Sequence, residues 1–397
     1  MDNRQQQRLL EQKRAQRQKY LRRQMYIRIG GILLAIVLAL IALIQGCSTR
    51  KAVRELSEQL REKKLAQAQE ELLALQATPS PSPSPVPENE GTRITLSFIG
   101  ECNLGVDNNH DEGYLLENLY NDNGATYFFE NVKSILEGDD LTVASLACSL
   151  TEEGDRQNWN DVYRADPEYS EVLTYGGVDA VTVANPYYLD YGEEGYVDTL
   201  ANLDKADIGR FGFDYTLIKQ IKGVKVGFTG VWKYSYLDYE GTALDNIAYL
   251  REEGAQIVVA VIQWTSNSPD TPDNSQILLA HKFIDAGADL VIGIMDETIQ
   301  GIEVYHDRYI VYSLGAFLSA VEEPENMDSM IFQQTFTLVN GELSGVADYE
   351  IIPCCISSNP AQNDCRPTPL EGDEKQRLLD HIYDMSIELD GGIEPKE

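Results

Sequence analysis

Short apolar runs alternate with amphipathic stretches along the chain from residue 92 onward. The runs VDAVTVAN, AQIVVAVIQW and ADLVIGI are rich in β-branched residues and largely unbroken, which is typical of strands buried on both faces. Between such runs, YFFENVKSILEG and ILLAHKFIDAG have the spacing of amphipathic helices. This strand–helix–strand order predicts an α/β domain with a largely parallel sheet.

The pattern changes after residue 300. GIEVYHDRYIVYSLGAF and MIFQQTFTLVNGELSGVADYEII predict antiparallel hairpins, with turns at His306-Asp307 and Asn340-Gly341. Residues 371–387, EGDEKQRLLDHIYDMSI, predict a closing helix. We therefore expect an α/β core to which antiparallel strands have been added.

The N-terminal part of the chain has a different pattern. Residues 29–46 contain no charged residue over 18 positions, which is long enough for a transmembrane helix. Residues 1–28 contain nine Lys and Arg against Asp2 and Glu11. The positive-inside bias predicts a basic cytoplasmic tail, one transmembrane helix and an extracellular C-terminal domain, and hence a cell-membrane protein. The alternative is cleavage and lipidation at Cys47, but the long basic lead-in favours an uncleaved anchor.

Two segments separate this anchor from the globular part. Residues 51–76 are rich in Glu, Lys, Leu and Ala and predict a solvated helical stalk. A coiled-coil dimer is less favoured, because Lys63 and Glu70 interrupt the heptad seam. Residues 77–91 form a Pro/Ser linker that favours an extended, stiff chain. The globular domain is predicted over residues 92–390.

Charge restricts the partners of this domain. From residue 77 onward there are 17 Lys and Arg against 57 Asp and Glu, a net charge of -40. Such a surface repels phosphate backbones and anionic lipids, so nucleic acid is not an expected partner.

The chain contains six cysteines, which fits an exported protein. No CxxC pair or Cys/His cluster occurs, so structural zinc is not indicated. Cys102 and Cys148 each follow a predicted strand, and a bridge between them is one option. The disulfide connectivity stays open at this level.

Polar or bulky side chains follow several predicted strands, where α/β enzymes present their chemistry. One such loop, after the strand in DLVIGIMDETIQG, offers carboxylates but no His, Cys, Ser or Lys. It is either an active site of unusual composition or the remnant of one. The candidate residues in this loop are Met295, Asp296 and Glu297.

The order of these strand ends resembles the CapA family, exported proteins associated with poly-γ-glutamate capsule synthesis. That family's first strand ends in Gly-Asp and its second in Asn-Leu-Glu, where this chain has SFIGECNLG and SLACSLT. ANPYYLDYG stands in the position of Ala-Asn-Asn-His-x-x-Asp-Tyr-Gly, and QWT in that of His-Trp-Gly. GIMDETIQGIE and YSLGAF correspond to Gly-His-His-Pro-His-x-x-Gln-Gly-Ile-Glu and Tyr-Ser-Leu-Gly-Asn-Phe. The resemblance covers about residues 93–387.

The resemblance implies a metallophosphatase-like αββα sandwich, with two sheets between layers of helices. Its framework is retained, at Gly100, Leu146, Asn185, Asp190, Tyr191, Gly192, Trp264, Gly293, Gln300, Gly301, Ser313, Leu314, Gly315 and Phe317. The side chains that would hold metal ions are mostly replaced, by Glu101, Ser145, Leu146, Ala147, Pro186, Tyr187, Gln263, Ile294, Met295 and Glu297. The resemblance therefore implies a relict site at Glu101, Asn103, Ser145, Asn185, Tyr187, Gln263, Trp264, Met295, Asp296 and Glu297. The four histidines, His110, His281, His306 and His381, fall on none of the family's ligand positions.

These substitutions predict that the chain holds no cofactor. The alternative is a calcium or magnesium site made of oxygen donors, with Glu101, Asn185 and Glu297 as its ligands. Loss of every imidazole removes the preference for zinc, iron or manganese.

We therefore expect a membrane-anchored component of capsule or envelope-polymer synthesis that works by binding, as a pseudoenzyme. One alternative is a metal-dependent hydrolase or transferase of metallophosphatase type. Another is a structural ectodomain that pairs with an active paralogue. The expected partners are the cell membrane, through one helix, and envelope-polymer synthesis proteins or that paralogue. Clustered tyrosines near Tyr187 and Tyr196 predict packing, or alternatively a groove for carbohydrate or peptide.

Overall fold

The computed structural model describes residues 91–107, 115–233, 239–264, 271–295, 298–321 and 326–395. The predicted tail, transmembrane helix and stalk lie outside these ranges, as do the linker up to residue 90 and the acidic pair Asp296 and Glu297. Within the described ranges, no helix is both long and apolar enough to span a bilayer. The anchor at residues 29–46 stays a prediction.

Seventeen strands lie in the part of the chain that the structure describes. They are β1 (Thr92–Cys102), β2 (Leu141–Leu146), β3 (Ser149–Leu150), β4 (Arg164–Ala165), β5 (Ala180–Thr182), β6 (Gly209–Phe211), β7 (Leu217–Ile221), β8 (Val224–Trp232), β9 (Ile257–Gln263), β10 (Leu290–Ile294), β11 (Ile302–Tyr305), β12 (Arg308–Val311), β13 (Ala316–Leu318), β14 (Asp328–Val339), β15 (Glu342–Leu343), β16 (Asp348–Cys355) and β17 (Thr368–Pro369).

The helices of the same ranges are α1 (Leu115–Asn123), α2 (Lys133–Leu136), α3 (Ser170–Gly176), α4 (Gly192–Lys205), α5 (Tyr239–Glu252), α6 (Asn274–Asp285) and α7 (Gly372–Ile387). Two short 3-10 turns occur at Ala125–Tyr127 and Pro167–Tyr169. The predicted closing helix is confirmed by α7. The stretch YFFENVKSILEG forms only the single turn α2 and looser turns before it, so a full helix there was wrong.

Most described strands belong to two mixed sheets. The larger sheet has the order β17-β16-β14-β1-β2-β5-β6, with β13 beside β1 and β15 beside β14. The smaller sheet has the order β11-β12-β10-β9-β8-β7, and β3 pairs with β4 separately. Strands β1, β2, β5, β6 and β13 run parallel, as do β8, β9, β10 and β12. The remaining strands of both sheets are antiparallel. A parallel core with added antiparallel strands is confirmed.

The two sheets pack face to face on one apolar core. Ile94, Leu96 and Phe98 of β1 lie in this core together with Val259 and Val261 of β9. Burying side chains of this size contributes about 1.5–3 kcal/mol each. The core between the sheets therefore stabilises the arrangement of strand ends above it.

The outer face of each sheet is covered by helices. On the larger sheet, Leu146 and Val181 pack with Leu173 of α3 and Leu203 of α4. On the smaller sheet, Val258 and Ile262 pack with Ile247 of α5 and Phe283 of α6. The described part of the chain is therefore a mixed α/β fold with helix, sheet, sheet and helix layers.

Turn residues fix the predicted hairpins. His306 and Asp307 have φ angles of 49° and 60°, and join β11 to β12. Asn340 and Gly341 have φ angles of 55° and 84°, and join β14 to β15. Positive φ at both central residues is the signature of the tight turn that matches the twist of paired strands. Both predicted turns are confirmed.

Candidate site at the mouth between the sheets

The carboxyl ends of β1, β2 and β9 meet at one end of the core between the sheets. Glu101 lies in register with Ser145 on one side and Ala316 on the other. Its Oε2 accepts a hydrogen bond of 3.0 Å from Nε2 of Gln263, the last residue of β9 in the other sheet. Both side chains are buried, with exposures of 7% and 2%. This contact spans the gap between the two sheets at the carboxyl ends of β1 and β9. We call this end of the gap the mouth.

A bulge in β1 makes this contact geometrically feasible. The register of β1 against β2 shifts between Phe98 and Glu101. Because of this shift, the side chains of Phe98 and Glu101 both point toward the other sheet, although the two residues are three positions apart. Gly100 lies within the bulge, and a Cβ there would stand 2.0 Å from the carbonyl oxygen of Gly315. The Glu101 amide then donates to that same carbonyl at 3.0 Å. Glycine at position 100 thus permits the close approach that aims Glu101 into the mouth.

Asn185 is held by the backbone on both sides of its amide. Its Oδ1 accepts from the amide of Tyr187 at 2.8 Å, and its Nδ2 donates to the carbonyl of Leu146 at the end of β2. The residue is 2% exposed. Its side chain therefore acts as a brace between two strand ends. The side chain of Asn103 also binds nearby backbone, since its Oδ1 accepts from the amide of Gly105 at 2.9 Å.

Two other predicted positions face the helix layer rather than the mouth. Trp264 packs in the cluster under α5 and α6, and its Nε1 donates to the carbonyl of Tyr312 at 2.6 Å. Met295 belongs to the same cluster, and its Sδ lies 3.9 Å from Nε2 of Gln276. Sequence position placed both residues at strand ends, but their side chains do not join Glu101 and Gln263.

Tyr187 forms part of an aromatic rim beside the mouth. Its ring lies edge-on to Tyr163, with centroids 5.0 Å apart. The next residue, Tyr188, packs on Phe213 at 4.4 Å and edge-on to Tyr196 at 5.4 Å. These contacts agree with the packing interpretation of the tyrosine cluster.

Sequence reasoning missed the end of β8. Trp232 is in register with Gln263 of β9, and its Nε1 is buried without a hydrogen-bond partner among the described residues. Lys233 follows at 6% exposure, with its Nζ donating to Oγ of Ser275 and lying 3.8 Å from Oδ1 of Asp273. The only signal in the sequence was a buried-strand pattern, KVGFTGVW, that runs directly into a lysine.

The described residues do not fit a histidine-rich metal centre. In the ranges that the structure covers, no group of three or more His, Cys, Asp and Glu side chains is close enough to hold a metal ion. Glu101 supplies one carboxylate, which already accepts from Gln263. Of the histidines, His281 has its Nε2 2.8 Å from Oε1 of Glu303, and its ring stacks on Tyr305 with centroids 3.7 Å apart.

The bridge considered between Cys102 and Cys148 is not formed. Both are free thiols, with exposures of 0% and 3%. Burial raises the pKa of Cys148 to about 12 and that of Cys102 further still. Buried thiols with raised pKa values are inert rather than nucleophilic. These cysteines therefore belong to the apolar packing under the larger sheet.

The chain is similar to known bacterial proteins. Residues 95–321 match the family described as bacterial capsule synthesis protein PGA_cap. The PGA biosynthesis protein CapA of Bacillus subtilis is 24% identical over 72% of this chain and 76% of its own length. The capsule biosynthesis protein CapA of Bacillus anthracis is 24% identical over 62% of this chain and 64% of its own.

More distant likenesses were also found. A probable polyglutamine synthesis accessory protein of Mycobacterium tuberculosis is 25% identical over 44% of this chain and 54% of its own. The solved structure of TT1561 from Thermus thermophilus is 12% identical, with a TM-score of 0.36, over 65% of this chain and 99% of that chain. The family match spans more than half of the sequence. The resemblance of the strand ends to CapA proteins agrees with this match. The chain belongs to the bacterial capsule synthesis protein family PGA_cap.

Proposed function

We propose that this protein is a non-catalytic component of capsule or cell-envelope polymer synthesis, which acts by binding. The contact between Glu101 and Gln263 carries the proposal. An amide stands where the resemblance expects a metal-holding histidine, and it donates to the carboxylate expected to join that histidine on the ion. This contact therefore gives Glu101 a hydrogen-bond partner across the mouth.

The neighbouring groups support the same interpretation. Asn185, the one metal-ligand residue of the family that is retained, has its Oδ1 engaged by the Tyr187 amide. Ile294 is 1% exposed and belongs to the core between the sheets. Apolar and braced groups therefore occupy positions at which a metal centre needs free donors. The layered fold is consistent with a metallophosphatase-like domain that has lost this chemistry.

The proposed setting is the outer face of the cell membrane. The basic tail, the uncharged segment at residues 29–46 and the stalk and linker favour a single-pass protein with an extracellular domain. The proposed partners are envelope-polymer synthesis proteins or an active paralogue. With a net charge of -40 from residue 77 onward, a protein partner is a better fit than direct contact with a polyanion.

One observation favours the alternative of a calcium- or magnesium-dependent hydrolase or transferase. Ser145 is fully buried in register with Glu101, and its Oγ has no hydrogen-bond partner among the described residues. A hydroxyl oxygen that makes no hydrogen bond can serve as a ligand for a hard cation such as Ca²⁺ or Mg²⁺. The site would then use Glu101, Asn185 and Glu297, of which Glu297 lies outside the described residues.

Metal analysis of the full-length protein distinguishes the two functions. The protein would be purified without chelator and titrated with Mg²⁺, Ca²⁺, Mn²⁺ and Zn²⁺ in a calorimeter. We expect binding that is no stronger in the wild type than in the Glu101→Ala variant. Stoichiometric metal that is lost in Glu101→Ala, but kept in the Glu252→Ala control at an exposed carboxylate, would overturn the non-catalytic function.

Complementation supplies a second test. In a strain that lacks this protein, the Glu101→Ala variant should restore polymer at the cell surface as well as the wild type does. Loss of polymer with a folded, normally abundant Glu101→Ala protein would instead support a catalytic carboxylate.

A further inference from the structure

Two buried polar atoms at the mouth have no hydrogen-bond partner in the part of the chain that the structure describes. They are the hydroxyl oxygen of Ser145 in β2 and the indole Nε1 of Trp232 at the end of β8. Ser145 is fully buried, and Nε1 of Trp232 is shielded from solvent although the ring is partly exposed. Buried polar atoms without a partner are destabilising, and a bound molecule is one of the few physical reasons for keeping them.

The hydroxyl of Ser145 points into the mouth from the larger sheet. Ser145 is in register with Glu101 on one side and with Thr182 of β5 on the other. Neighbouring residues in register project from the same face of a sheet. Because Glu101 reaches across to Gln263 of the smaller sheet, Ser145 faces that sheet as well.

The indole of Trp232 points into the mouth from the smaller sheet. Trp232 is in register with Gln263, whose side chain meets Glu101. Two residues earlier in β8, a Cβ at Gly230 would lie 2.4 Å from Oγ1 of Thr182 in the larger sheet. Residues two apart in a strand share a face, so Trp232 projects toward the larger sheet.

The two atoms lie on the same side of the contact between Glu101 and Gln263. Strands β1, β2 and β5 are consecutive in the larger sheet, and β9 and β8 are neighbours in the smaller one. Strand β1 meets β9 through Glu101, and β5 meets β8 through Thr182. Strand β2, with Ser145, therefore lies opposite the space between β9 and β8. The ring of Tyr188 stands beside this point, with its centroid 6.5 Å from that of Trp232.

The chemistry of these atoms restricts the ligand. An indole N–H only donates, so its partner must present an acceptor, whereas a hydroxyl donates and accepts. A bare cation offers no acceptor to Trp232. An anion would stand beside the buried carboxylate of Glu101, in a domain whose net charge is -40 from residue 77 onward. An uncharged group with an oxygen acceptor satisfies both conditions.

We propose that the mouth binds an uncharged carboxamide group. Its carbonyl oxygen accepts from Nε1 of Trp232, and its N–H donates to Oγ of Ser145. A carboxamide carries its acceptor and its donor on separate atoms, which suits two partners on opposite walls of the mouth, and its planar shape fits beside the ring of Tyr188. This proposal rests on the proposed binding function, because it names the ligand class of the same mouth.

Nuclear magnetic resonance of the indole protons tests the carboxamide site. The chain has three tryptophans, and two of their Nε1 atoms already donate, Trp159 to Asp190 and Trp264 to the Tyr312 carbonyl. The full-length protein with isotopically labelled tryptophan would be titrated with acetamide to about 0.5 M, since so small a ligand binds weakly. The Nε1 proton of Trp232 should shift downfield with saturation, while the other two signals stay nearly constant.

Variants and a charged analogue sharpen this test. Trp232→Phe identifies the Trp232 signal by its loss. Acetate has nearly the shape of acetamide but carries a negative charge, and it should leave the signal unchanged. Ser145→Ala should fold, because it removes an unpaired hydroxyl, and should weaken acetamide binding roughly threefold to tenfold, as expected for one hydrogen bond. Ser134→Ala, at an exposed hydroxyl, should bind like the wild type.

Four outcomes would overturn the carboxamide site. They are a Trp232 signal that does not move with acetamide, which would mean that water alone fills the mouth, an equal response to acetate, an equal response to glycerol, and unchanged acetamide binding in Ser145→Ala. None of these affects the non-catalytic function. A saturable shift with Ca²⁺ or Mg²⁺ that is lost in Glu101→Ala would instead contradict both proposals.

Discussion

At the scale of single residues, the mouth shows how one substitution changes the role of its neighbours. Gln263 offers an amide that carries no charge and donates to Glu101 at 3.0 Å. A hydrogen bond to a charged acceptor contributes about 1.5–3 kcal/mol when buried, whereas an unpaired buried carboxylate is costly. Glu101 thus has a hydrogen-bond donor inside the mouth, although the contact uses only one of the two polar atoms of the Gln263 amide.

Two aspartates should dominate the pH dependence of stability. Burial raises the pKa of Asp139 to about 6 and that of Asp190 to about 7, from an ordinary value of 3.8. The folded chain keeps protons that the unfolded chain releases between about pH 4 and about pH 7, so stability is greatest at the acidic end of this window. The free energy of unfolding should fall as pH rises through it and level off above about pH 8.

Urea denaturation across this pH range checks the prediction. The double variant Asp139→Asn/Asp190→Asn should show a flatter profile than the wild type. Asp122→Asn, which removes the same kind of charge at an exposed site, should leave the slope nearly unchanged. An equal slope in the double variant would contradict the assignment.

At the scale of secondary-structure elements, the start of α6 is fixed by a capping box. Oδ1 of Asp273 accepts from the amides of Ser275 and Gln276, at 2.7 and 2.9 Å, and the Gln276 side chain accepts from the Asp273 amide at 2.9 Å. Gln276 also donates to Oε1 of Gln300 at 3.0 Å. The cap therefore connects α6 to the segment that follows β10, beside the candidate site.

Removal of this cap should weaken the fold measurably. Asp273→Ala is expected to lower the free energy of unfolding by about 1 kcal/mol, because two helix amides lose their acceptor. Glu371→Ala is the matched control, since Glu371 occupies the same position before α7 but makes no capping bond. Both variants would be compared by urea denaturation, and equal losses would disprove a specific role for the Asp273 cap.

At the scale of the whole molecule, charge decides which polymers can approach. A net charge of -40 from residue 77 onward opposes a polyanion over distances up to about a Debye length, roughly 10 Å at 0.1 M salt. Association with capsule synthesis therefore does not imply contact with the polymer itself. A cationic bridge or a basic partner protein would be needed.

Direct binding of purified poly-γ-glutamate to the full-length protein should be undetectable at low salt without divalent cations. Fluorescence anisotropy of the labelled polymer measures this, with a basic protein of similar size as a positive control. Binding at low salt that weakens as NaCl is added would contradict the charge argument, because it would reveal a cationic polymer site. Binding that appears only with Ca²⁺ would support bridging.

The predictability of the fold from sequence varied with the local pattern. The buried strands and the turns at His306-Asp307 and Asn340-Gly341 followed from residue type, because few sequences satisfy those backbone demands. Strand β7 was missed, since LIKQI is half-exposed at a sheet edge and lacks an unbroken apolar run. The irregular segment at residues 153–163 gave no pattern at all, because Asp107 and Asp190 hold it from 49 and 27 residues away in the sequence.

The site was predictable in position but not in orientation. By itself, the sequence determined the order of the strands along the chain and the acidic character of the domain. It also determined that no histidine stands at the expected ligand positions. The tertiary structure alone decided that Glu101 meets Gln263, 162 residues apart, while Trp264 and Met295 face the helices. The physical reason is register: the bulge in β1 and the packing of two sheets set the side to which each strand-end side chain points, and both depend on contacts between distant segments.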